Sequence, residues 1–173
     1  MDEKNRDFSD DDPSVQNSWA SSVTIHSDLL ATKDLVYSPC RFECSQPRIE
    51  VQNAEYGAYV FNLNALSIRF RVAKITPTKV GQFVTLWERI GDGPIQPYDI
   101  SHSVDLFVSS TRKGNNFGQF VFQKAVLCNQ GIVSDKGKGG KRAVRVYPPW
   151  DKPTEPSGSK NSDMATRIFL SDT

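Results

Sequence analysis

Apolar and basic residues alternate in the stretch SIRFRVAKITPTKVGQFVTLWER, which begins at Ser67. Side chains of a β-strand point to opposite faces in turn, so one face receives the apolar residues Ile68, Phe70 and Val72. The other face receives Arg69 and Arg71. A turn bracketed by Pro77 and Gly81 follows, and then a second apolar run ends at Arg89. This pattern predicts two strands joined by a turn, the first with one apolar and one basic face.

The remaining pattern predicts further strands and two short helices. We expect strands at 55–63, 67–75, 82–90, 104–109, 117–122 and 143–147, and helices at 27–36 and 123–129. The first two strands should form an antiparallel hairpin, since only a short connection separates them. These elements indicate an α+β fold with a mainly antiparallel sheet and a few helices. The restriction-endonuclease-like fold is one candidate architecture.

Charge divides the chain into segments that the net charge of +1 conceals. Residues 1–55 carry 5 basic and 11 acidic side chains, whereas residues 56–150 carry 13 basic and 5 acidic ones. We interpret residues 1–22 as a disordered acidic arm, 23–151 as the folded domain and 152–173 as a C-terminal tail. The basic excess of the central part favours a polyanionic partner.

Three blocks of the basic part resemble the MepB family and keep the family's order. They are RVAKITPTKVGQFVTLWER from Arg71 to Arg89, FGQFVFQKAVL from Phe117 with Gly131-Ile132 after it, and GKRAVRVYPPWD from Gly140 to Asp151. The resemblance covers about residues 56–151, and the tail after it departs from the family pattern. The family takes its name from a staphylococcal operon that also encodes a multidrug efflux pump and its repressor. The resemblance therefore implies a fold and a bacterial lineage, and no particular reaction.

The favoured function is nucleic-acid binding by a nuclease-like domain that lacks a catalytic site. Cationic side chains neutralise phosphates, and flat aromatic rings stack on bases. The candidate binding residues are Arg69, Arg71, Lys74, Lys79, Arg89, Lys141, Arg142, Arg145, Trp87 and Tyr147. The alternative for the same residues is structural, with the arginines on a solvated strand face and the rings in the core.

A metal-dependent nuclease is the second hypothesis, and a protein–protein interaction module is the third. The candidate catalytic residues are Glu55, Lys74 and Asp105, with Lys74 at the position of the lysine in a Glu-x-Lys motif. Val72 stands where that motif has its carboxylate and cannot bind Mg²⁺. We expect Glu55 to be the partner of Lys74, with Asp105 second, and Lys74 to lie in or beside a concave site.

Other chemistry finds little support in the composition. Cys40, Cys44 and Cys128 do not fit a disulfide framework or a structural zinc site, and His26 and His102 lie far apart in sequence. The sequence therefore predicts no metal site and no cofactor, unless the nuclease hypothesis brings Mg²⁺. Neither a secretory signal nor a membrane-length apolar run is evident, so the expected location is the cytoplasm.

Overall fold

The structure is a computed structural model, and it describes residues 19–20, 24–152 and 165–170. Its largest element is a six-stranded sheet in the order β1-β2-β3-β8-β9-β11. These strands are β1 (Arg48–Ile49), β2 (Tyr59–Leu63), β3 (Leu66–Val72), β8 (Leu106–Lys113), β9 (Asn116–Gln123) and β11 (Thr166–Leu170). Neighbours are antiparallel except the central pair β3 and β8, which run parallel.

A second, three-stranded antiparallel sheet, called the small sheet below, has the order β10-β5-β4. Its strands are β4 (Lys74–Thr76), β5 (Lys79–Thr85) and β10 (Ala143–Val146). A hairpin of β6 (Trp87–Arg89) and β7 (Ile95–Pro97) follows β5. The chain thus leaves the large sheet after Val72 and enters the small sheet at Lys74.

The large sheet has an apolar core on each face. Ile68 and Phe70 of β3 face α1 (Ser27–Thr32), which contributes Leu29 and continues as a π-helical turn over Lys33–Tyr37. The opposite face packs Phe107, Phe120 and Phe122 against Val84, Val144 and Val146 of the small sheet. Leu127 of α2 (Lys124–Asn129) completes that second core. Three layers result, with the large sheet in the middle.

The α+β class and the mainly antiparallel pairing are confirmed. The predicted hairpin forms, with Tyr59 opposite Phe70 and Leu63 opposite Leu66. Three of the predicted strands have wrong bounds. Residues 51–56 form a 3-10 helix (Val51–Tyr56), and the run after Ser67 breaks between Val72 and Lys74. The predicted strand 82–90 divides at Leu86 into β5 and β6, which belong to different sheets. The predicted helices occur as Ser27–Thr32 with its π-helical extension and as Lys124–Asn129.

The structure describes only parts of the N-terminal arm and of the C-terminal tail. Residues 1–18 of the acidic arm lie outside the described residues, whereas Trp19 packs edge-on against Phe61 with ring centroids 6.2 Å apart. Residues 166–170, which were assigned to the tail, form β11 and extend the large sheet. None of the described helices is long and apolar enough to cross a membrane.

Candidate functional site

The outward-facing side of the small sheet gathers cations and aromatic rings from three strands. In the β-sheet register, Phe83 of β5 stands directly opposite Lys74 of β4 and Arg145 of β10. Directly opposite residues project from the same face, so these three side chains form a row across the sheet. Beyond an irregularity in the β4–β5 pairing, Lys79 stands opposite Thr76, which shares a face with Lys74 two residues earlier on β4. Lys79 therefore lies on the same face as Phe83. The inner face instead carries Val84, which is buried.

Tyr147 joins this face just after β10. Gly81 of β5 lacks a side chain, and a Cβ atom there would lie only 2.7 Å from the Tyr147 ring. The ring therefore packs directly on the β5 backbone, two residues from Phe83. Arg145 is fixed nearby, since its Nη1 donates a hydrogen bond of 2.9 Å to the carbonyl oxygen of Gly81. We call the set Lys74, Lys79, Phe83, Arg145 and Tyr147 the outer face.

The other cationic candidates lie around this face or away from it. Lys141 and Arg142 are exposed in the segment that leads into β10. Arg89 donates to the carbonyl oxygen of Gly93 within the β6–β7 connection, and Trp87 is partly buried in β6. The structure thus brings together about half of the residues that the sequence pattern singled out.

Arg69 and Arg71 lie elsewhere, in a buried ionic cluster on the second face of β3. Arg71 is only 1% exposed, and its guanidinium contacts Glu50 Oε2, the Phe70 carbonyl oxygen and the Tyr98 hydroxyl. Arg69 Nη1 lies 2.7 Å from Glu50 Oε1, which also accepts a hydrogen bond of 3.2 Å from Tyr98. Glu50 therefore binds both arginines and the tyrosine.

Glu88 and His102 extend the ionic cluster toward solvent. His102 Nε2 lies 3.3 Å from Glu88 Oε2, and His102 Nδ1 accepts a hydrogen bond from the backbone N–H of Val104. That acceptor role assigns the ring hydrogen of the neutral imidazole to Nε2. Burial, with the charges of Arg69 and Lys124, lowers the pKa of His102. Burial also raises the pKa of Glu88, against the opposing effect of Arg69.

The loop that covers the ionic cluster is held by hydrogen bonds to one carboxylate. Asp99 accepts from the backbone N–H of Gly137 and from the side chains of Ser101 and Ser134. These bonds hold the pKa of Asp99 well below its usual range. They also connect the segment after β7 to residues 134–142, the glycine- and lysine-rich segment before β10. The neighbouring Tyr98 is buried, which raises its pKa to about 12.

The ionic cluster neutralises its own charge. Glu50 and Glu88 balance Arg69 and Arg71, and a neutral His102 adds none. The expectation that Arg71 faces solvent or a phosphate is therefore wrong, because the segments around Glu50 and Tyr98 cover the basic face of β3. Buried charges need such partners, since an unpaired buried ion is strongly unfavourable.

The three catalytic candidates do not converge. Glu55 does pair with Lys74, with 3.8 Å between Oε2 and Nζ, but the side chains are 68% and 43% exposed. Asp105 instead accepts a hydrogen bond from the backbone N–H of Ser67, at the opposite end of β3. Over residues 24–152 and the short described pieces beside them, no three His, Cys, Asp or Glu side chains are arranged to hold a metal ion.

Sequence reasoning missed several residues that the structure brings into these sites. Phe83 was part of the predicted third strand, yet no pattern showed that it would stand between two cations. Glu50 and Tyr98 lie outside every predicted strand and helix, and Glu88 lies near the end of the predicted strand 82–90.

The hydrogen-bonding state of His102 gives a pH prediction. A folded-state pKa below the ordinary value of 6.5 means that stability is lost as the pH falls below 6.5 toward the lowered value. In a His102→Asn variant the amide oxygen can accept from Val104 N–H without titrating. We expect urea unfolding to show a steeper loss of stability between pH 7 and pH 5 in the parent protein than in this variant. Parallel curves would contradict the assigned neutral state.

Fold and site together define an α+β protein with a cationic, aromatic sheet face and a self-neutralised ionic core. The chain belongs to the MepB-like family, whose model matches residues 50–171. The match reaches past Asp151 and includes β11, so the family pattern extends further than the sequence blocks indicated. The chain is similar in fold to the crystal structure of MepB, with a TM-score of 0.70 at 24% identity. That alignment covers 86% of this chain and 99% of MepB. No curated protein matches the sequence.

Proposed function

We propose that this MepB-like protein binds nucleic acid through the outer face of the small sheet. The observation that carries the proposal is the row Lys74–Phe83–Arg145, aligned across three strands. Cations on both sides of an aromatic ring combine the two contacts that nucleic acids offer, phosphate charge and base surface. The proposal requires no metal ion or other cofactor.

The charge of the surrounding chain supports the same face. The stretches 74–87 and 136–147 form or flank the small sheet and contain seven lysines and arginines without a single Asp or Glu. Lys141 and Arg142 are exposed next to β10, so they extend the cationic surface at that edge. A surface that carries only positive charge attracts a polyanion over a long range and speeds its association.

The ionic cluster is excluded from the proposed interface. Its arginines already bind Glu50, and Arg71 is inaccessible to a ligand as large as a polynucleotide. The ionic cluster instead has a structural role, because its contacts hold Glu50 and Tyr98, and the segments that carry them, against β3. The binding residues are therefore a subset of those that the sequence indicated, with Phe83 added.

Removal of the row's cations should weaken binding in a salt-dependent way. Each phosphate contact contributes about 0.7–0.9 to the slope of log affinity against log salt. We expect Lys74→Gln and Arg145→Gln each to lower that slope by about that amount, and affinity by roughly fivefold at 0.1 M salt. Fluorescence anisotropy of a labelled oligonucleotide over a salt series measures both quantities.

Arg48→Gln is the matched control, because Arg48 is exposed on β1, an edge strand of the large sheet, and not on the small sheet. It should leave affinity and slope near the parent values. An equal loss in the control would show that binding follows overall charge rather than the outer face. A parent protein that binds no oligonucleotide at low salt would reject the proposed function.

A further inference from the structure

Aromatic rings and cations alternate across the outer face and beyond its edge. Tyr56, at the end of the 3-10 helix, has its ring centroid 4.1 Å from Lys74 Nζ. Lys74 stands opposite Phe83, and Phe83 stands opposite Arg145. The series therefore reads tyrosine, lysine, phenylalanine, arginine from the β4 edge of the small sheet to its β10 edge. Tyr147 adds a third ring beside Phe83, over Gly81.

The rings on this face are accessible to a ligand. Tyr56, Phe83 and Tyr147 are all partly exposed, whereas the inner-face residues Val84 and Val146 are buried. Phenylalanine side chains are usually buried inside a protein. A partly exposed ring between two cations is therefore unusual for a sheet whose role is structural only. Exposed rings with neighbouring cations are the arrangement that stacks unpaired bases.

The form of the nucleic acid follows from this arrangement. In a duplex the base faces are stacked on each other, and the surface presents phosphates and the edges of bases. Rings on a sheet face cannot stack on bases there. A single strand exposes its bases, and a sheet face with aromatic rings can receive them while nearby cations hold the phosphates.

We propose that the outer face binds single-stranded nucleic acid, with bases stacked on Phe83 and Tyr147 and phosphates held by Lys74, Lys79 and Arg145. This inference rests on the proposed function and specifies its ligand. The cation–π contact with the Tyr56 ring orients the Lys74 side chain. The opening left by Gly81 is what allows the Tyr147 ring to lie beside Phe83.

The test compares the full chain on a labelled oligo(dT), an oligo(U) and a mixed-sequence DNA duplex of equal length, at one salt concentration. We expect either single strand to bind at least about tenfold more tightly than the duplex, because only the single strands can stack. The two single strands distinguish DNA from RNA, and a preference for either one agrees with the inference.

Substitution of the central ring separates stacking from charge. Phe83→Leu should weaken single-strand binding by about 5- to 100-fold, which is the loss of one base–ring stack, and should leave duplex binding unchanged. Phe83→Tyr keeps the ring and should retain single-strand affinity. Phe42→Leu is the matched control, because Phe42 is a partly buried ring that packs against the α1-side core. Thermal unfolding of each variant checks that the fold is kept.

The outcomes distinguish this inference from the proposed function. Tighter binding of the duplex, or unchanged single-strand affinity in Phe83→Leu, overturns the single-strand inference while nucleic-acid binding stands. An equal loss of affinity in Phe42→Leu overturns it as well, because the effect would not depend on the outer face. Absence of binding to all three oligonucleotides overturns both.

Discussion

Replacement of Glu50 by Gln should destabilise the protein by about 3 kcal/mol or more, the cost of leaving a buried charge without its partner. Glu50 binds Arg69, Arg71 and the Tyr98 hydroxyl, and Arg71 is only 1% exposed. An amide keeps the shape of the side chain and removes its charge, so the guanidinium of Arg71 stays buried without compensation. Urea unfolding monitored by tryptophan fluorescence measures the change.

Glu55→Gln is the matched control. Glu55 also faces a cation, Lys74, but both side chains are well exposed and 3.8 Å separates the charged atoms. Pairs of this kind contribute little, so the free energy of unfolding should change by no more than about 0.5 kcal/mol. Similar effects at the two glutamates would contradict the assignment of Glu50 to a buried ionic cluster. At temperatures where the Glu50→Gln variant is still folded, it should bind oligonucleotides as the parent protein does, because Glu50 lies outside the proposed interface.

Gly118→Ala should destabilise the protein by about 1–3 kcal/mol, the usual cost of forcing an extra methyl group into a packed site. Gly118 of β9 stands opposite Phe169 of β11, and the added Cβ would lie 2.0 Å from Phe169 Cδ1. The ring packs edge-on against Phe120 and Trp150, with centroids 5.4 and 5.5 Å away. Displacement of the ring should therefore loosen β11, which hydrogen exchange at the β9 and β11 amides can detect.

A double-mutant cycle isolates this contact. Phe169→Ala removes the ring and its packing, and the space above Gly118 then accepts a methyl group. In that background Gly118→Ala should cost less than about 0.5 kcal/mol, so the two substitutions are strongly non-additive. Additive losses would show that Phe169 does not pack over Gly118.

The β3 strand shows how far the sequence pattern predicts the fold. Its alternation placed Ile68 and Phe70 on one face and Arg69 and Arg71 on the other, and the structure confirms this division. The same pattern could not show which segment covers the basic face. Tyr98 is 27 residues from Arg71, and its hydroxyl bonds the guanidinium only because the chain returns over β3 after the β6–β7 hairpin.

Lys74 illustrates a different limit. The pairing with Glu55 was predicted, but the shared strand with Val72 was wrong, because the chain changes sheets between the two residues. The residues on both sides of the break favour a strand, so the sequence pattern cannot indicate that the chain passes from one sheet to another there. The likeness to restriction endonucleases stays a prediction.

The sequence by itself determined the local features of this protein: the faces of β3, the β2–β3 hairpin, the short helices and the excess of cations after residue 55. These depend on side-chain period, turn residues and composition, which act over a few neighbouring positions. Only the tertiary structure decided which cations are buried and which meet at one surface. Arg71 became internal because Glu50 and Tyr98 converge on it, and Lys74, Phe83 and Arg145 became neighbours because β4, β5 and β10 pair. Strand pairing between distant segments is set by the burial of both sheet faces, which no local pattern contains.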